Sequence, residues 1–333
     1  MRTLLLLTCL TFGARADRTY EFPCEIASFA VSADMTMAWV SCFRLDPTHT
    51  AEAWQRPSSL YALDIASGTL SEVREATGWI RIIAAPAGAR AIAVIPQKGG
   101  IARGFFYQGQ REVSQIPIAT EYLSWSADGR SVYFYGRTTI EADAWNILGV
   151  FRPDTDAISR TRLAVPTEEV NVCAANRHVF AGIVSYDLHG NAQPYAAAEC
   201  DADLLFIRRN PKVPPGSFSA TCRYVASPHS FSHGPVPWRV IDANTGKALL
   251  RVEFTGEGGP EDFEFKSWNP QQDRLLLRLR YRSDALPDLQ VFDILHRTVV
   301  DSIPDFTGEA AWSRDGEFLI CSRGQTLVFR PIQ

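Results

Sequence analysis

The residues best suited to chemistry are few and scattered. His229-Ser-Phe-Ser-His233 carries two imidazoles four positions apart. On a helix that spacing offers both rings to one metal ion. Here Pro228, Gly234, Pro235 and Pro237 surround the motif and forbid a helix, and no Glu follows the first His. The acid pairs Glu168-Glu169 and Glu261-Asp262 read as solvated loop charges rather than catalytic dyads. Gly256-Glu-Gly-Gly259 and Gly99-Gly100 are loop glycines, not phosphate cradles. No G-x-S-x-G elbow, H-E-x-x-H pair or P-loop occurs. The expectation is therefore no catalytic residue, no metal and no cofactor.

Contact chemistry is better represented. Trp54, Arg56, Trp145, His229, Phe231, His233, Tyr281 and Arg282 combine apolar and basic side chains in stretches that read as loops. Aromatic and Arg side chains dominate protein contact surfaces, so these residues predict a face for a protein or peptide partner. The alternative is an enzyme centred on a channel, a hydrolase or lyase for a small molecule or sugar. It would need several Asp, Glu, His or Asn to converge, and no such set is identifiable in the sequence.

The elements that must carry these loops repeat along the chain. Phe29-Ala-Val-Ser-Ala-Asp34, Leu123-Ser-Trp-Ser-Ala-Asp-Gly129 and Ala310-Ala-Trp-Ser-Arg-Asp-Gly316 share one pattern: a short apolar strand, Ser-x-Asp, then a second apolar run. Looser copies place the corresponding turns near 88, 176, 223 and 273. With 34, 128 and 315 these make seven turns, about 47 residues apart on average. Asp or Asn bonds back to the backbone in such a turn, and Gly tolerates its positive φ. Trp125, Trp268 and Trp312 recur at one position of the repeat and are expected to pack between units. Third and fourth strands follow, as at Leu60–Ile65 and Leu70–Val73. Four short strands per 40–50 residues predict an all-β fold, a β-propeller of seven four-stranded blades. The alternative is six blades, with 168–210 as an insertion. The last unit is short, and Thr19–Phe22 is expected to supply its missing strand beside Thr326–Arg330.

Long connections between second and third strands are expected at Phe43–Ser59, Pro96–Arg103, Gly136–Asn146, Ser185–Gly190, His229–Pro237 and Arg280–Pro287. They fall on one face together with the connections from each fourth strand to the next unit. Long loops on a rigid scaffold are where binding residues concentrate.

The strand–Ser-x-Asp-Gly–strand unit resembles the TolB-like, WD40-like β-propeller repeat of exported bacterial proteins. The resemblance covers most of residues 19–333, sharply in three repeats and loosely in four. It implies a propeller. TolB carries an α/β domain before its propeller, whereas here the repeats begin almost at the leader, so its envelope role is not implied.

Met1-Arg2-Thr3, the apolar run Leu4–Phe12 and Ala14-Arg15-Ala16 have the form of a signal peptide cut before Asp17. The expected mature chain, 17–333, is one propeller domain, exported to the periplasm or secreted. It has 31 basic and 37 acidic residues, a net charge of −6, which gives nucleic acid no electrostatic footprint. No other stretch approaches the length of a membrane span. Six cysteines remain after Cys9 is removed, and an even count in an exported chain suggests disulfides. A hairpin centred near residue 33 sets Cys24 opposite Cys42, within bridging reach. The alternative is two free thiols in a core. Pairing of Cys173, Cys200, Cys222 and Cys321 is left open.

Overall fold

The computed structural model describes residues 17–44, 56–97, 101–116, 122–126, 129–135, 147–162, 170–172, 178–181, 184–187, 192–193, 217–219, 223–228, 238–242, 247–252, 262–281 and 284–332. Among them every regular element is a strand, and no helix is long and apolar enough to cross a membrane.

The strands form seven four-stranded antiparallel sheets among the described residues. The first joins β2 (Glu25–Val31), β3 (Met37–Phe43), β4 (Pro57–Asp64) and β5 (Leu70–Thr77). The second joins β6 (Arg81–Ala84), β7 (Arg90–Gln97), β8 (Ile101–Gln108) and β9 (Arg111–Ile116). The third holds β10 (Tyr122–Trp125), β11 (Val132–Tyr135), β12 (Ile147–Arg152) and β13 (Ala157–Arg162). The fourth holds β14 (Val170–Val172), β15 (His178–Ala181), β16 (Val184–Asp187) and β17 (Ala192–Gln193). The fifth contains β18 (Ser217–Phe218), β19 (Tyr224–Pro228), β20 (Trp238–Asp242) and β21 (Ala248–Val252). The sixth contains β22 (Asp262–Trp268), β23 (Arg274–Arg280), β24 (Asp288–Asp293) and β25 (Thr298–Ile303). The seventh takes β26 (Ala310–Trp312), β27 (Phe318–Arg323) and β28 (Thr326–Pro331) from the end of the chain and β1 (Arg18–Glu21) from its start. Arg18–Glu21 lies against Phe329–Thr326 in antiparallel register.

Hydropathy decides which strand lies where. Met37-Ala-Trp-Val-Ser-Cys-Phe43 has no charged residue, and every position of β3 is buried. A strand covered on both faces reads as a continuous apolar run. Fourth strands alternate instead: β9, Arg-Glu-Val-Ser-Gln-Ile, is exposed at every other position until Ile116. In the first sheet the middle strands β3 and β4 are mostly buried, while the outer strand β5 is half-buried to exposed along its length. Leading strands of neighbouring sheets touch, as β2 does β6, β10 does β14 and β22 does β26.

Five of the turn positions read from the sequence, 34, 88, 223, 273 and 315, lie between a first and a second strand, and those at 128 and 176 lie outside the described residues. Ser32 Oγ donates to Asp34 Oδ1 at 2.6 Å and accepts from the Met37 N–H at 2.9 Å. Ser313 repeats this with Asp315 and the Phe318 N–H. Gly129 and Gly316 take the left-handed conformation at this turn, and Met35 takes it in the first sheet, at φ 57°.

Three details differ from the sequence expectation. The first hairpin pairs Val31 with Ala38, so its centre lies between Asp34 and Met35 rather than at Ala33. A bulge at Ala27 then sets Ile26, not Cys24, opposite Cys42, and both cysteines are free buried thiols. Pro96–Arg103 is not a long connection: Pro96 and Gln97 pair with Ala102 and Ile101 inside the sheet. Ser185–Asp187, expected to begin a loop, belongs to β16. A Pro or Gly near a strand end invites a loop reading that a long antiparallel ladder overrides.

Candidate functional face

Connections from second to third strands and from fourth strands to the next sheet meet at one end of the sheets. The backbone shows this directly. Gly78 N–H, after β5, donates to Arg56 O, before β4, at 2.8 Å. Phe306 N–H, after β25, donates to Pro287 O, before β24, at 2.6 Å. Phe22 N–H, after β1, donates to Gln325 O, between β27 and β28, at 2.8 Å.

Two of the residues singled out from the sequence are described, and both lie at this end. Arg56 is exposed just before β4, and Tyr281 is 43% exposed just after β23. Trp54, Trp145, His229, Phe231, His233 and Arg282 lie outside the described residues, as do residues 1–16, Cys173, Cys200 and Cys222.

The first sheet builds an aromatic platform around Arg56. Phe43 ends β3, and its ring meets Trp79 edge-on at 5.9 Å between centroids. The Arg56 guanidinium lies 5.9 Å from the Phe43 centroid. Trp79 is 45% exposed, while Ile80 beside it is fully buried between the first two sheets. The buried neighbour and the Gly78–Arg56 bond hold a large indole partly in water. Trp79 is not among the residues expected from the sequence, which lie chiefly in second-to-third connections, because it sits between a fourth strand and the next sheet. The available signal was Thr77-Gly78-Trp79, a large aromatic directly after a turn glycine.

Beside the platform lies a charged cluster. Arg44 donates to Ser59 Oγ at 3.1 Å and to Glu72 at 2.9 Å, and also binds Glu75. Glu75 and Glu72 push the Arg44 guanidinium above its ordinary value. A hydrogen bond from Ser59 holds the Glu72 carboxyl below the usual range, opposed by desolvation and aided by Arg44. These charges satisfy one another and orient the rim. Among the described residues no group of three or more His, Cys, Asp or Glu is placed to hold a metal ion.

No protein-family model matches this chain, and no curated protein matches it. Solved structures do. A chain of the Mitotic Checkpoint Complex aligns over 100% of this chain and 97% of its own, at 11% identity and a TM-score of 0.56. A chain of hydrazine synthase from Kuenenia stuttgartiensis aligns over 91% of this chain and 94% of its own, at 12% identity and a TM-score of 0.50. The fold is a β-propeller. At such identities the likeness concerns architecture alone, and the propeller hosts many functions. A functional reading must therefore be argued from the site: a partly exposed indole, a guanidinium 5.9 Å from a Phe ring and a charged rim, at the propeller end where the connections converge.

Proposed function

We propose that this chain is an exported, non-catalytic propeller that binds a protein or peptide partner through the connection-bearing face. In this reading residues 17–333 form one domain, the seven four-stranded sheets are seven blades, and β1 on β28 closes the ring. The Ser-x-Asp-Gly turns and the leader read from the sequence support placing it with the exported TolB-like propellers.

The observation that carries the binding role is Trp79. A partly exposed Trp beside an Arg-capped Phe is the composition of an interface anchor, where large rigid aromatics bring contact area at low entropic cost. Exposed Tyr281 and Leu286 extend the same composition to the sixth sheet. The charged rim around Arg44 supplies polar complementarity.

The test compares envelope extracts passed over immobilised wild-type protein, Trp79→Ala and Val113→Ala. Val113 lies on β9, within an outer strand and away from the connections. A partner retained by wild type and Val113→Ala but lost by Trp79→Ala supports the assignment. Equal retention by all three overturns it.

A further inference from the structure

We propose that Cys24 and Cys42 are a disulfide-forming pair that locks the junction between the first and seventh sheets. This goes beyond the binding role and does not depend on it.

The two thiols share one buried cluster. Cys24 is 3% exposed and Cys42 fully buried, packed with Phe22, Ile320, Leu327 and Phe329. Cys42 faces Ile26 across the β2–β3 ladder, and Cys24 precedes Ile26 by two residues. The bend at Pro23–Cys24 leaves the two sulfurs in hydrogen-bonding contact, with the Cys42 S–H donating to Cys24 Sγ. The Tyr61 hydroxyl donates to the same sulfur, while on the rim the Glu72 carboxylate opposes the thiolate more than Arg44 favours it. The Cys42 bond outweighs burial and holds the Cys24 thiol below its ordinary value. Donating that bond, together with burial, drives Cys42 upward. Cys24 is thus the attacking thiolate and Cys42 the resolving thiol.

The position gives the bond a structural consequence. Cys24 lies between two backbone hydrogen bonds: Phe22 N–H to Gln325 O at 2.8 Å, which continues the β1–β28 ladder of the seventh sheet, and Ile26 N–H to Gly324 O at 2.9 Å, which joins the first sheet to the seventh. A bond from Cys24 to Cys42 fixes this stitched bend to β3. Access for an oxidant comes when β1, a four-residue strand exposed along most of its length, loosens from β28.

The oxidant is a small organic disulfide. The Cys24 thiolate attacks one of its sulfurs, the S–S bond breaks, and one thiol leaves. Cys42 then attacks Cys24 Sγ and expels the second. Two protein thiols are oxidised, one disulfide is reduced to two thiols, and the two thiol protons end on those products.

Trypsin cleaves after Arg18 and Arg44, and no Lys or Arg lies between, so one peptide, 19–44, carries both cysteines. The full chain is equilibrated with glutathione disulfide, alkylated under denaturing conditions, digested and weighed. The expected result is peptide 19–44 lighter by two hydrogens and unalkylated, with slower amide exchange at Phe22 and Ile26 than in the reduced protein. Tyr61→Phe keeps the ring and removes one donor, and its oxidation is expected to slow by about two- to threefold. Full alkylation of both cysteines in the folded, oxidant-treated chain overturns the proposal. So does a crosslink from either cysteine to Cys173, Cys200, Cys222 or Cys321, or unchanged exchange at both amides.

Discussion

The indole N–H of Trp39, in the first sheet, donates to the carbonyl of Gly109, in the second, at 2.9 Å. Trp39 is fully buried and Gly109 half-buried, so this bond is partly shielded from water, and it joins two sheets rather than two strands of one. Trp125 does the same from the third sheet to Ile83 O in the second, at 3.1 Å. Trp39→Phe and Trp125→Phe keep an aromatic ring but orphan a carbonyl. Each is expected to cost about 1–3 kcal/mol. Urea titration checks this; an unchanged midpoint for both would show that packing alone joins the sheets.

Stability should fall in acid for an identifiable reason. Asp293 is buried; desolvation would raise its carboxyl, but hydrogen bonds from the His296 backbone and ring, with the charges of His296 and Arg274, hold it below the usual range. Asp34 is likewise held down against desolvation by Ser32 and Thr36. A carboxyl lowered in the folded state contributes its full stabilisation above the unfolded value, about pH 4, and loses it as pH drops through the folded value. Asp293→Asn should therefore weaken the protein by about 1–3 kcal/mol at pH 7 and flatten the decline below about pH 4. Thermal melts between pH 2 and 7, as about the useful range, measure both effects.

Two glycines separate strain from collision. Gly88 sits at φ 67° with nothing within 4 Å of an added Cβ, so Gly88→Ala meets only left-handed strain, about 1–2 kcal/mol. At Gly308 an added Cβ would lie 1.7 Å from the Ser322 carbonyl oxygen, and Ser322 is bonded to Glu309 through both its N–H and its side chain. Gly308→Ala is expected to cost more than about 4 kcal/mol, or to abolish folding, because the contact is with backbone. Comparable melting of the two variants would refute this ranking.

Much of the scaffold was readable because the turns obey local chemistry. Ser32 with Asp34 and Ser313 with Asp315 make bonds spanning a few residues, and such bonds need no knowledge of the rest of the chain. The end strand was readable too, because the last unit had three strands and Thr19–Phe22 was apolar enough to complete it. What was hidden depends on register. Nothing near Ala27 announces the bulge that sets Ile26 opposite Cys42. Met35 takes a left-handed φ where the sister turns use Gly, so the hairpin centre was misplaced. Trp79 belongs to a connection between sheets, and its exposure is a property of two sheets meeting.

Tyr20 tests the junction of the chain's two ends. Its hydroxyl donates to Ile65 O in the first sheet at 2.6 Å, and its ring meets Phe329 of β28 edge-on at 5.6 Å. One side chain thus holds β1 to both neighbours. Tyr20→Ala removes the bond and most of the packing, at an expected cost of about 2–4 kcal/mol. Tyr20→Phe removes only the bond, at about 1 kcal/mol. The larger variant should also free β28 for part of the time, and an uncovered strand recruits strands from other molecules. Light scattering at rising concentration should therefore show association for Tyr20→Ala and none for Tyr20→Phe. If both scatter alike, the strand edge is not what β1 protects.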